Sequence, residues 1–547
     1  MNIGGKMEVK IENPQKRKKS SSFQKFKQFL NSTRAENLIL WIYTAFSFFL
    51  VLIHEPWRDE AQFWLLARDA SIPEILSNIS KEGIPPLWQL MLKPFVMLGL
   101  PYYPTMNIIS FILVAAAAWI FVKKAPFQRC VKYILLFSPV FIYCYATISR
   151  TYSMMPLIVV LLAVLYPKRL QRPILYGILL ALLFEIHVIL WGMVAALSVE
   201  FLISTIRAYK KEKSVKQTAR SLTAIIPMLI VGLQYLLLFY PAARTSYALG
   251  NFALKTNPLN IIYHLYLGIG TVFGNTLSAY ENVGWYVALI FLAISLISIS
   301  RDKRWIKYVL IAGGSILFEG IVSGFIYIDG NFRSISVFLI LMFAIWLAKN
   351  DGLPLEIVFF NTRTTWVAAV CLYTILGMLA IAPNLLNDIR YPYSYSKYAA
   401  SYIEQNIPSD SLILTSSSAQ MSALSVYLED YSFYDSEKEK TFTYFVWDNN
   451  ASWENLYAVE TNGEKELTQD IRLDMVSREA MELSNGNAGG FYYISVLEFE
   501  ANDTDPFYQS HIVFRTPEDY ESKDNYEILY IPFEDARQLI ESDSNPE

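Results

Sequence analysis

Two adjacent carboxylates, Asp59 and Glu60, are the residues whose type and setting point most directly to chemistry. They follow the first long apolar run, Asn37 to Ile53, and are preceded by Trp57 and Arg58. The boundary between water and lipid favours aromatic and cationic side chains over acidic ones. One explanation for the pair is catalysis, because a carboxylate can take a proton from a hydroxyl or an amine. The alternative is that both acids lie in the first turn of an interfacial helix, where the helix dipole favours negative charge.

Other ionisable side chains lie within or at the ends of apolar runs, where they are costly and are therefore functional candidates. These residues are Arg150, Glu185, His187, Glu200, Glu319, Asp329 and Arg333. Glu200 and Glu319 lie deeper in their runs, so we expect them to form hydrogen bonds between helices. For Arg150 and Arg333 the alternative to a site role is anchoring to lipid headgroups, and for His187 it is an interhelical hydrogen bond.

The composition of the chain indicates a polytopic membrane protein. Hydrophobic residues make up 54% of its 547 residues and aromatic residues 15%, and the mean hydropathy is +0.29. This is too apolar for an ordinary soluble protein. Charge divides the chain in two, since residues 1–383 hold 36 Lys and Arg against 18 Asp and Glu, whereas residues 384–547 hold 10 against 31. We therefore expect a basic membrane domain followed by an acidic soluble one.

Apolar runs predict about eleven membrane spans within residues 37–383, after a basic tail at 1–36. The predicted spans are 37–53, 105–122, 133–149, 152–166, 173–188, 189–206, 221–240, 284–300, 308–327, 334–348 and 365–383. If they alternate in direction, and if 260–278 does not cross, the basic clusters at 123–132, 168–172, 210–220 and 301–307 all fall in the cytoplasm, as the positive-inside rule requires.

This alternation predicts a cytoplasmic N-terminus and places Asp59 and Glu60 on the extracytoplasmic side of the plasma membrane. Residues 54–104 become the first extracytoplasmic loop, and its apolar but proline-interrupted stretches predict juxtamembrane helices. Arg150, Glu185, His187, Asp329 and Arg333 fall on the same side as the two acids.

Residues 384–547 have the pattern of an extracytoplasmic α/β domain. Amphipathic helices are predicted near 398–405 and 419–428, and strands at 411–415, 491–499 and 526–531. The chain contains no glycine-rich phosphate loop, so no nucleotide-sugar site is expected. A nucleic-acid partner is not expected either.

Acids and arginines at one membrane face suit a substrate that carries a phosphate on a lipid. Arginine side chains can hold the phosphate while a carboxylate takes a proton from an acceptor. The hydrocarbon tail of such a substrate can remain among the membrane lipids. Neither ATP nor a soluble nucleotide is then required, and no other cofactor is firmly implied.

Three short motifs together resemble the GT-C glycosyltransferases, and more narrowly their protein-mannosyltransferase and aminoarabinose-transferase branch. They are Trp57–Arg58–Asp59–Glu60–Ala61, then Pro85–Pro86–Leu87–Trp88, and then the segment from Tyr145 to Tyr152. The resemblance covers residues 37–350. It departs from the family at Ile84, where a His often precedes the Pro-Pro-Leu unit, and at Thr151, where a second Arg commonly follows the first.

The resemblance implies a GT-C fold, a polyprenyl-phosphate or dolichyl-phosphate sugar as donor, and an extracytoplasmic acceptor. It assigns Asp59 as catalytic base with Glu60 as its neighbour, and Arg150 and Arg333 to the donor phosphate. With the candidates from the residues themselves, we expect Lys93 to contact the phosphate too, the alternative being a surface lysine. The expected substrate-binding residues are Trp57, Arg58, Tyr152, Glu185, His187 and Asp329.

The sequence therefore predicts a membrane glycosyltransferase that uses a polyprenyl-phosphate-linked sugar. No ligand set demands a metal, although a divalent metal is compatible with the residues present. The alternative is a polytopic transporter or flippase for lipid-linked glycans. Transporters tend to carry ionisable groups near the membrane midplane and to show two related halves, whereas in this sequence the ionisable groups cluster at the outer ends of the spans and no repeat is apparent.

Overall fold

The structure is a computed structural model of the whole chain. The residues that it describes are 24–82, 84–239, 258–326, 331–359, 362–415, 418–436, 438–445, 459–461, 464–466, 469–484, 489–496, 506–517 and 522–543.

Helices dominate the described part of the chain. In chain order they are α1 (Thr33–Ile53), α2 (Arg58–Asp69), α3 (Ile72–Glu82), α4 (Leu87–Met97), α5 (Tyr102–Lys124), α6 (Arg129–Leu136), α7 (Met155–Leu165), α8 (Pro173–Phe184), α9 (Trp191–Glu212), α10 (Val215–Leu222), α11 (Ile225–Gln234), α12 (Pro258–Asn275), α13 (Glu281–Arg301), α14 (Trp305–Phe325), α15 (Asn331–Ser334), α16 (Ser336–Asn350), α17 (Trp366–Arg390), α18 (Ser396–Asn406), α19 (Ser418–Ser425), α20 (Gln469–Leu483), α21 (Pro506–His511) and α22 (Phe533–Asp543).

Nine helical segments among the described residues are long and apolar enough to cross a membrane, which makes this a polytopic helical membrane protein. They are Thr33–Ile53, Tyr102–Lys124, Thr151–Lys168, Val188–Glu212, Val215–Leu238, Glu281–Arg301, Trp305–Phe325, Phe332–Asn350 and Trp366–Arg390. Each coincides with a predicted span, and the boundaries differ by a few residues.

The other two predicted spans, 133–149 and 173–188, are not continuous helices. Helix α6 has only 8 residues and is followed by a π-helical turn at Val140–Cys144, with the backbone extended at Arg150. Helix α8 has 12 residues, and a 3-10 turn then leads directly into α9. A helix needs about 20 residues to span a bilayer. In both segments, regular α-helix therefore ends shortly before Arg150 or His187.

Helix α12, which forms most of the apolar stretch 260–278, packs closely against α13 and α14. A Cβ added to Gly268 would lie 1.8 Å from the carbonyl oxygen of Gly320 on α14, and one added to Gly284 would lie 1.8 Å from the carbonyl oxygen of Gly270. Small residues at such crossings let two helix backbones approach each other. Helix α12 is not among the nine candidate spans.

Residues of two predicted basic clusters form ion pairs with acids of other segments. Glu36 accepts from Lys123 at 2.8 Å and from Arg129 at 3.1 Å, and Lys307 pairs with Asp351 at 2.7 Å. The contacts of Glu36 lie at the start of α1, whereas His54 at its end contacts Asp388 near the end of α17. The bundle thus has two distinct faces, and we call the one that carries His54 and Asp388 the site face.

Of the two deeper acids, Glu319 forms a contact between helices, as the sequence predicts, whereas Glu200 on α9 binds a residue of the turn before α8. Glu200 accepts a hydrogen bond from Arg169 at 2.7 Å. Both carboxylate oxygens of Glu319 on α14 lie within hydrogen-bond distance of the Ser336 hydroxyl on α16.

The C-terminal part forms a six-stranded mixed sheet. Its strands are β3 (Ile413–Thr415), β4 (Phe433–Asp435), β5 (Lys440–Phe442), β8 (Gly490–Val496), β9 (Ile512–Arg515) and β10 (Tyr526–Pro532), in the order β5-β4-β3-β8-β10-β9. Strand β3 is parallel to β4 and β8, and the other pairs are antiparallel. Two hairpins lie outside this sheet, β1 (Glu356–Phe359) with β2 (Thr362–Thr365) and β6 (Val459–Thr461) with β7 (Glu464–Glu466).

Helices cover both faces of this sheet. Because side chains alternate along a strand, Ile413 and Ile528 pack with α18 and α19 in one core, whereas Leu414 and Leu529 pack with α20 and α22 in the other. The predicted α/β pattern of residues 384–547 corresponds to this layered arrangement.

The C-terminal domain packs directly on α2. Helix α19 lies against α2, and Gln62 exchanges two hydrogen bonds with the backbone of Phe445. Arg68, near the other end of α2, pairs with Glu429 at 3.0 Å. Helix α2 therefore lies between the membrane helices and the C-terminal domain.

The helix crossing at Gly268 gives a direct test of this packing. We expect Gly268→Ala to lower the free energy of unfolding by about 1–3 kcal/mol, because the added methyl group forces two backbones apart. Thermal unfolding of the purified protein in detergent measures the change. The matched control is Gly313→Ala on α14, where an added Cβ meets nothing within 4 Å and helix propensity predicts no loss. Equal midpoints for both variants would contradict the crossing.

Candidate functional site

The two adjacent acids lie in the first turn of α2. Trp57 has an extended backbone and precedes the helix, and its N–H donates to the Glu60 carboxylate at 3.2 Å. An acid that reaches back to the start of its own helix satisfies one of the free backbone donors there, and the helix dipole favours both negative charges. Both acids thus lie in the first turn of a helix, as the alternative interpretation expected, and this position also orients them in the site.

Glu60 is fully buried in a network of hydrogen bonds. One carboxylate oxygen accepts from the backbone N–H of Ser149, and the other lies 3.1 Å from His54 Nε2. The opposite nitrogen of His54 lies 2.9 Å from Asp388. Burial alone would lower the pKa of His54, but the carboxylates of Asp388 and Glu60 together raise this pKa to about 10. A buried imidazolium thus lies between two carboxylates.

Asp59 faces the opposite way and remains accessible. Its side chain is 36% exposed and pairs with Arg150 at 2.8 Å. The Arg150 guanidinium also lies over the rings of Phe63 and Tyr152, at 5.7 and 5.6 Å from their centroids. Its Nε is buried and has no hydrogen-bond acceptor among the described residues. The Nε–H of Arg150 is therefore a hydrogen-bond donor without an acceptor among the described residues, and it belongs to the side chain that pairs with the accessible Asp59 carboxylate.

Tyr152 connects Arg150 to two further predicted residues. Its hydroxyl accepts from Arg333 Nε at 3.0 Å and lies 3.4 Å from His187 Nε2. His187 is buried close to the cationic side chains of Arg333 and Arg150, which disfavour a positive charge on its ring. Because Ile189 N–H donates to His187 Nδ1, the proton of the neutral ring is assigned to Nε2. Asp59, Arg150, Tyr152, His187 and Arg333 are thus connected through direct side-chain contacts on the site face.

Trp57 and Arg58 lie at the edge of this group. The Arg58 guanidinium lies 5.9 Å from the Trp57 ring, and the Arg58 backbone N–H donates to Asp524 at 3.1 Å. Glu185 lies at the end of α8 and is buried. One of its carboxylate oxygens has no partner among the described residues. Asp329 lies outside the described residues.

Lys93 is placed away from the predicted phosphate cluster. Its ammonium donates to the carbonyl oxygens of Ala67 and Ala70, at 3.0 and 2.7 Å. These carbonyls belong to the C-terminal end of α2, about 12 and 16 Å along the helix from Asp59. Lys93 thus satisfies free carbonyls of the helix that carries the acids.

Three residues of the site were missed by the sequence reasoning, namely Asp388, Tyr393 and Asp524. Asp388 is an acid at the end of an apolar helix, and the cost of such a residue in lipid could have marked it. The Tyr393 ring lies 4.7 Å from the His54 ring. Asp524 is one of 31 acids in the C-terminal part, and only the fold distinguishes it from the others. In the described part of the chain, no three His, Cys, Asp or Glu side chains are grouped to hold a metal ion.

The buried imidazolium predicts a particular pH dependence of stability. At pH 7 we expect His54→Gln to lower the free energy of unfolding by about 3–5 kcal/mol, because two buried carboxylates lose their cation. The pKa of His54 is higher in the folded protein, so this stabilisation is complete below about pH 6.5. It disappears as the pH rises through about 10. The difference between the unfolding midpoints of the two proteins should therefore shrink between pH 7 and 10.

The matched control for this experiment is His511→Gln, which removes a histidine that pairs with Asp535 within the C-terminal domain. Its effect should be small at every pH. A difference between wild type and His54→Gln that stays constant from pH 6 to 10 would show that His54 is not charged in the folded protein.

Comparison with known proteins gives no relative for this chain. No family model, no curated protein and no solved structure matches it.

Proposed function

We propose that this protein is a membrane glycosyltransferase that moves a sugar from a polyprenyl-phosphate-linked donor to an acceptor on the site face. The observation that carries the proposal is the pairing of the accessible Asp59 carboxylate with Arg150, whose buried Nε has no acceptor among the described residues. The resemblance of three short motifs to the GT-C glycosyltransferases supports the same assignment.

The reaction is a direct displacement at the anomeric carbon of the donor sugar. A hydroxyl or amine of the acceptor attacks this carbon, and its proton passes to Asp59. The bond between the anomeric carbon and the phosphate oxygen breaks, and the electron pair leaves with polyprenyl phosphate. Arg150 and Arg333 offset the charge that develops on the phosphate. Because attack and departure occur on opposite sides of the carbon, the anomeric configuration inverts.

Asp59 is a better candidate for the base than Glu60, although the two are adjacent. Glu60 is fully buried, and both its carboxylate oxygens already have partners. Asp59 is 36% exposed, so an acceptor can reach it. We therefore assign proton transfer to Asp59 and the positioning of the α2 N-terminus to Glu60.

The position of the arginines suits a phosphate that belongs to a lipid. Arg150 and Arg333 contact Tyr152 near the ends of apolar helices, where the headgroups of membrane lipids lie. A polyprenyl chain can then stay in the bilayer while its phosphate reaches the arginines. In this assignment the site face is extracytoplasmic, the basic face is cytoplasmic, and the membrane is the plasma membrane.

The alternative is a transporter or flippase for lipid-linked glycans, which would also be polytopic and carry buried charges. The ionisable side chains that contact one another around Asp59 lie at one end of the helices, whereas transport sites are typically near the midplane. This distribution favours transfer at the membrane surface over passage through it.

Two substitutions test the assignment of the site. Asp59→Asn should lower kcat about 10²- to 10⁴-fold with little change in KM, because the general base is lost. Arg150→Ala should raise the KM for the donor and lower kcat, because the phosphate loses a bound cation. The measurement is sugar transfer from a panel of polyprenyl-monophosphate sugars, with membranes that lack the protein supplying the acceptor.

The matched control is Asp69→Asn, at the opposite end of the same helix, where the aspartate pairs with its neighbour Arg68. This variant should transfer at the wild-type rate. Transfer by Asp59→Asn and Arg150→Ala that equals the rate of this control would exclude the assigned site.

A further inference from the structure

The N-terminus of α2 takes a capping carboxylate from the far end of the chain. The first backbone N–H groups of a helix have no partner within the helix, and the side chain of Trp57, which precedes α2, forms no capping hydrogen bond. The N–H of Arg58 donates instead to Asp524 at 3.1 Å, across 466 positions of sequence. Asp524 is fully buried.

Asp524 also contacts the side chain of the residue that it caps. Its carboxylate lies 4.0 Å from Arg58 Nε. A negative charge at the first turn of a helix is favoured by the helix dipole. Asp524 therefore holds both the backbone and the side chain of the residue immediately before Asp59.

Burial of the Asp524 carboxylate is energetically unfavourable, so efficient packing alone would not select an acid at this position. Burial raises the pKa of Asp524 to about 6 despite the opposing effect of Arg58. A buried charged group is often less stabilising than an apolar side chain of the same size. Retention of a carboxylate here is understandable if its hydrogen bond and charge are needed at the start of α2.

Other contacts of the same domain immobilise the rest of this segment. Lys397 N–H donates to the Glu55 carboxylate at 2.6 Å, ahead of the helix. Gln62 exchanges hydrogen bonds with Phe445 in the next turn, and the Tyr393 ring lies edge-on to Trp57 at 6.2 Å. Asp59 thus lies within a segment that the C-terminal domain contacts on both sides.

We propose that the C-terminal domain completes the site, with Asp524 as a positioning residue that caps α2 and thereby fixes Asp59 against Arg150. Its effect on catalysis rests on the proposed function, whereas its effect on the helix does not. Small displacements of a reacting group lower rates strongly. A helix start that frays would move Asp59 relative to the acceptor and the donor.

Hydrogen exchange of the full-length protein tests the cap without any assumption about the reaction. In Asp524→Ala we expect the amides of 57–62 to exchange about two- to thirtyfold faster, because the cap is lost. Asp524→Asn should give a smaller increase, since its side-chain oxygen still accepts from Arg58 N–H. The matched control, Asp535→Ala in the same domain, should leave these amides unchanged.

Kinetics of the same variants test the consequence for catalysis. In Asp524→Ala we expect kcat to fall about tenfold or more, with the KM for the donor nearly unchanged and with partial rescue in Asp524→Asn. A defect that merely lowers the amount of folded protein would leave the kcat of the folded fraction intact. If Asp524→Ala matches Asp535→Ala in both exchange and kcat, the inference is overturned.

The two proposals fail in different ways. Absence of transferase activity in the wild-type protein would refute the proposed function, while faster exchange at 57–62 in Asp524→Ala would still support the cap. If Asp524→Ala does not fold, Asp524→Leu decides the question, because it keeps the size of the side chain but has no acceptor for Arg58 N–H. Wild-type exchange and kcat in folded Asp524→Leu would then overturn the inference.

Discussion

The structure depends on the need to neutralise the buried carboxylate of Glu60. An unpaired charge in a low-dielectric interior carries a large free-energy penalty. The Glu60 carboxylate avoids it by pairing with His54 and by accepting a hydrogen bond from the Ser149 N–H. His54 in turn pairs with Asp388. One set of contacts therefore joins the end of α1, the start of α2, the irregular segment before Arg150 and the end of α17. Helix α17 leads directly into the C-terminal domain, so the contact of Asp388 with His54 joins the membrane bundle close to the start of that domain.

Two adjacent acids have different roles because successive helical residues point about 100° apart. Glu60 points into the bundle and joins helices, whereas Asp59 points toward Arg150 and remains accessible. Both breaks in regular helix, before Arg150 and around His187, bring backbone and side chains to this same place. In a membrane protein, irregular backbone within the bilayer is tolerated only where protein or a polar cavity surrounds it. The irregular segments and the accessible acid are parts of one arrangement.

Much of the membrane domain could be predicted, because apolar length and basic clusters are local signals. Nine predicted spans match candidate spans, and Arg150, His187 and Arg333 were expected to share a face with Asp59. The interrupted helices at 133–149 and 173–188 could not be recognised, since an apolar run does not reveal where hydrogen bonding changes. The hydrogen bonds of Lys93 to the end of α2 and of Asp524 to its start join segments that are distant in sequence. Composition and periodicity do not predict such contacts.

The central claim is that acids and arginines on one face act on a lipid-linked sugar phosphate. The most direct measurement incubates the purified protein with polyprenyl-monophosphate sugars and acceptor membranes, and follows the lipids by mass spectrometry. The account predicts that sugar-bearing lipid is consumed, that polyprenyl monophosphate appears in equal amount, and that the sugar is recovered on an acceptor with inverted anomeric configuration. Sugar-bearing lipid that only moves between the two leaflets, with its mass unchanged, would contradict the account and identify a transporter.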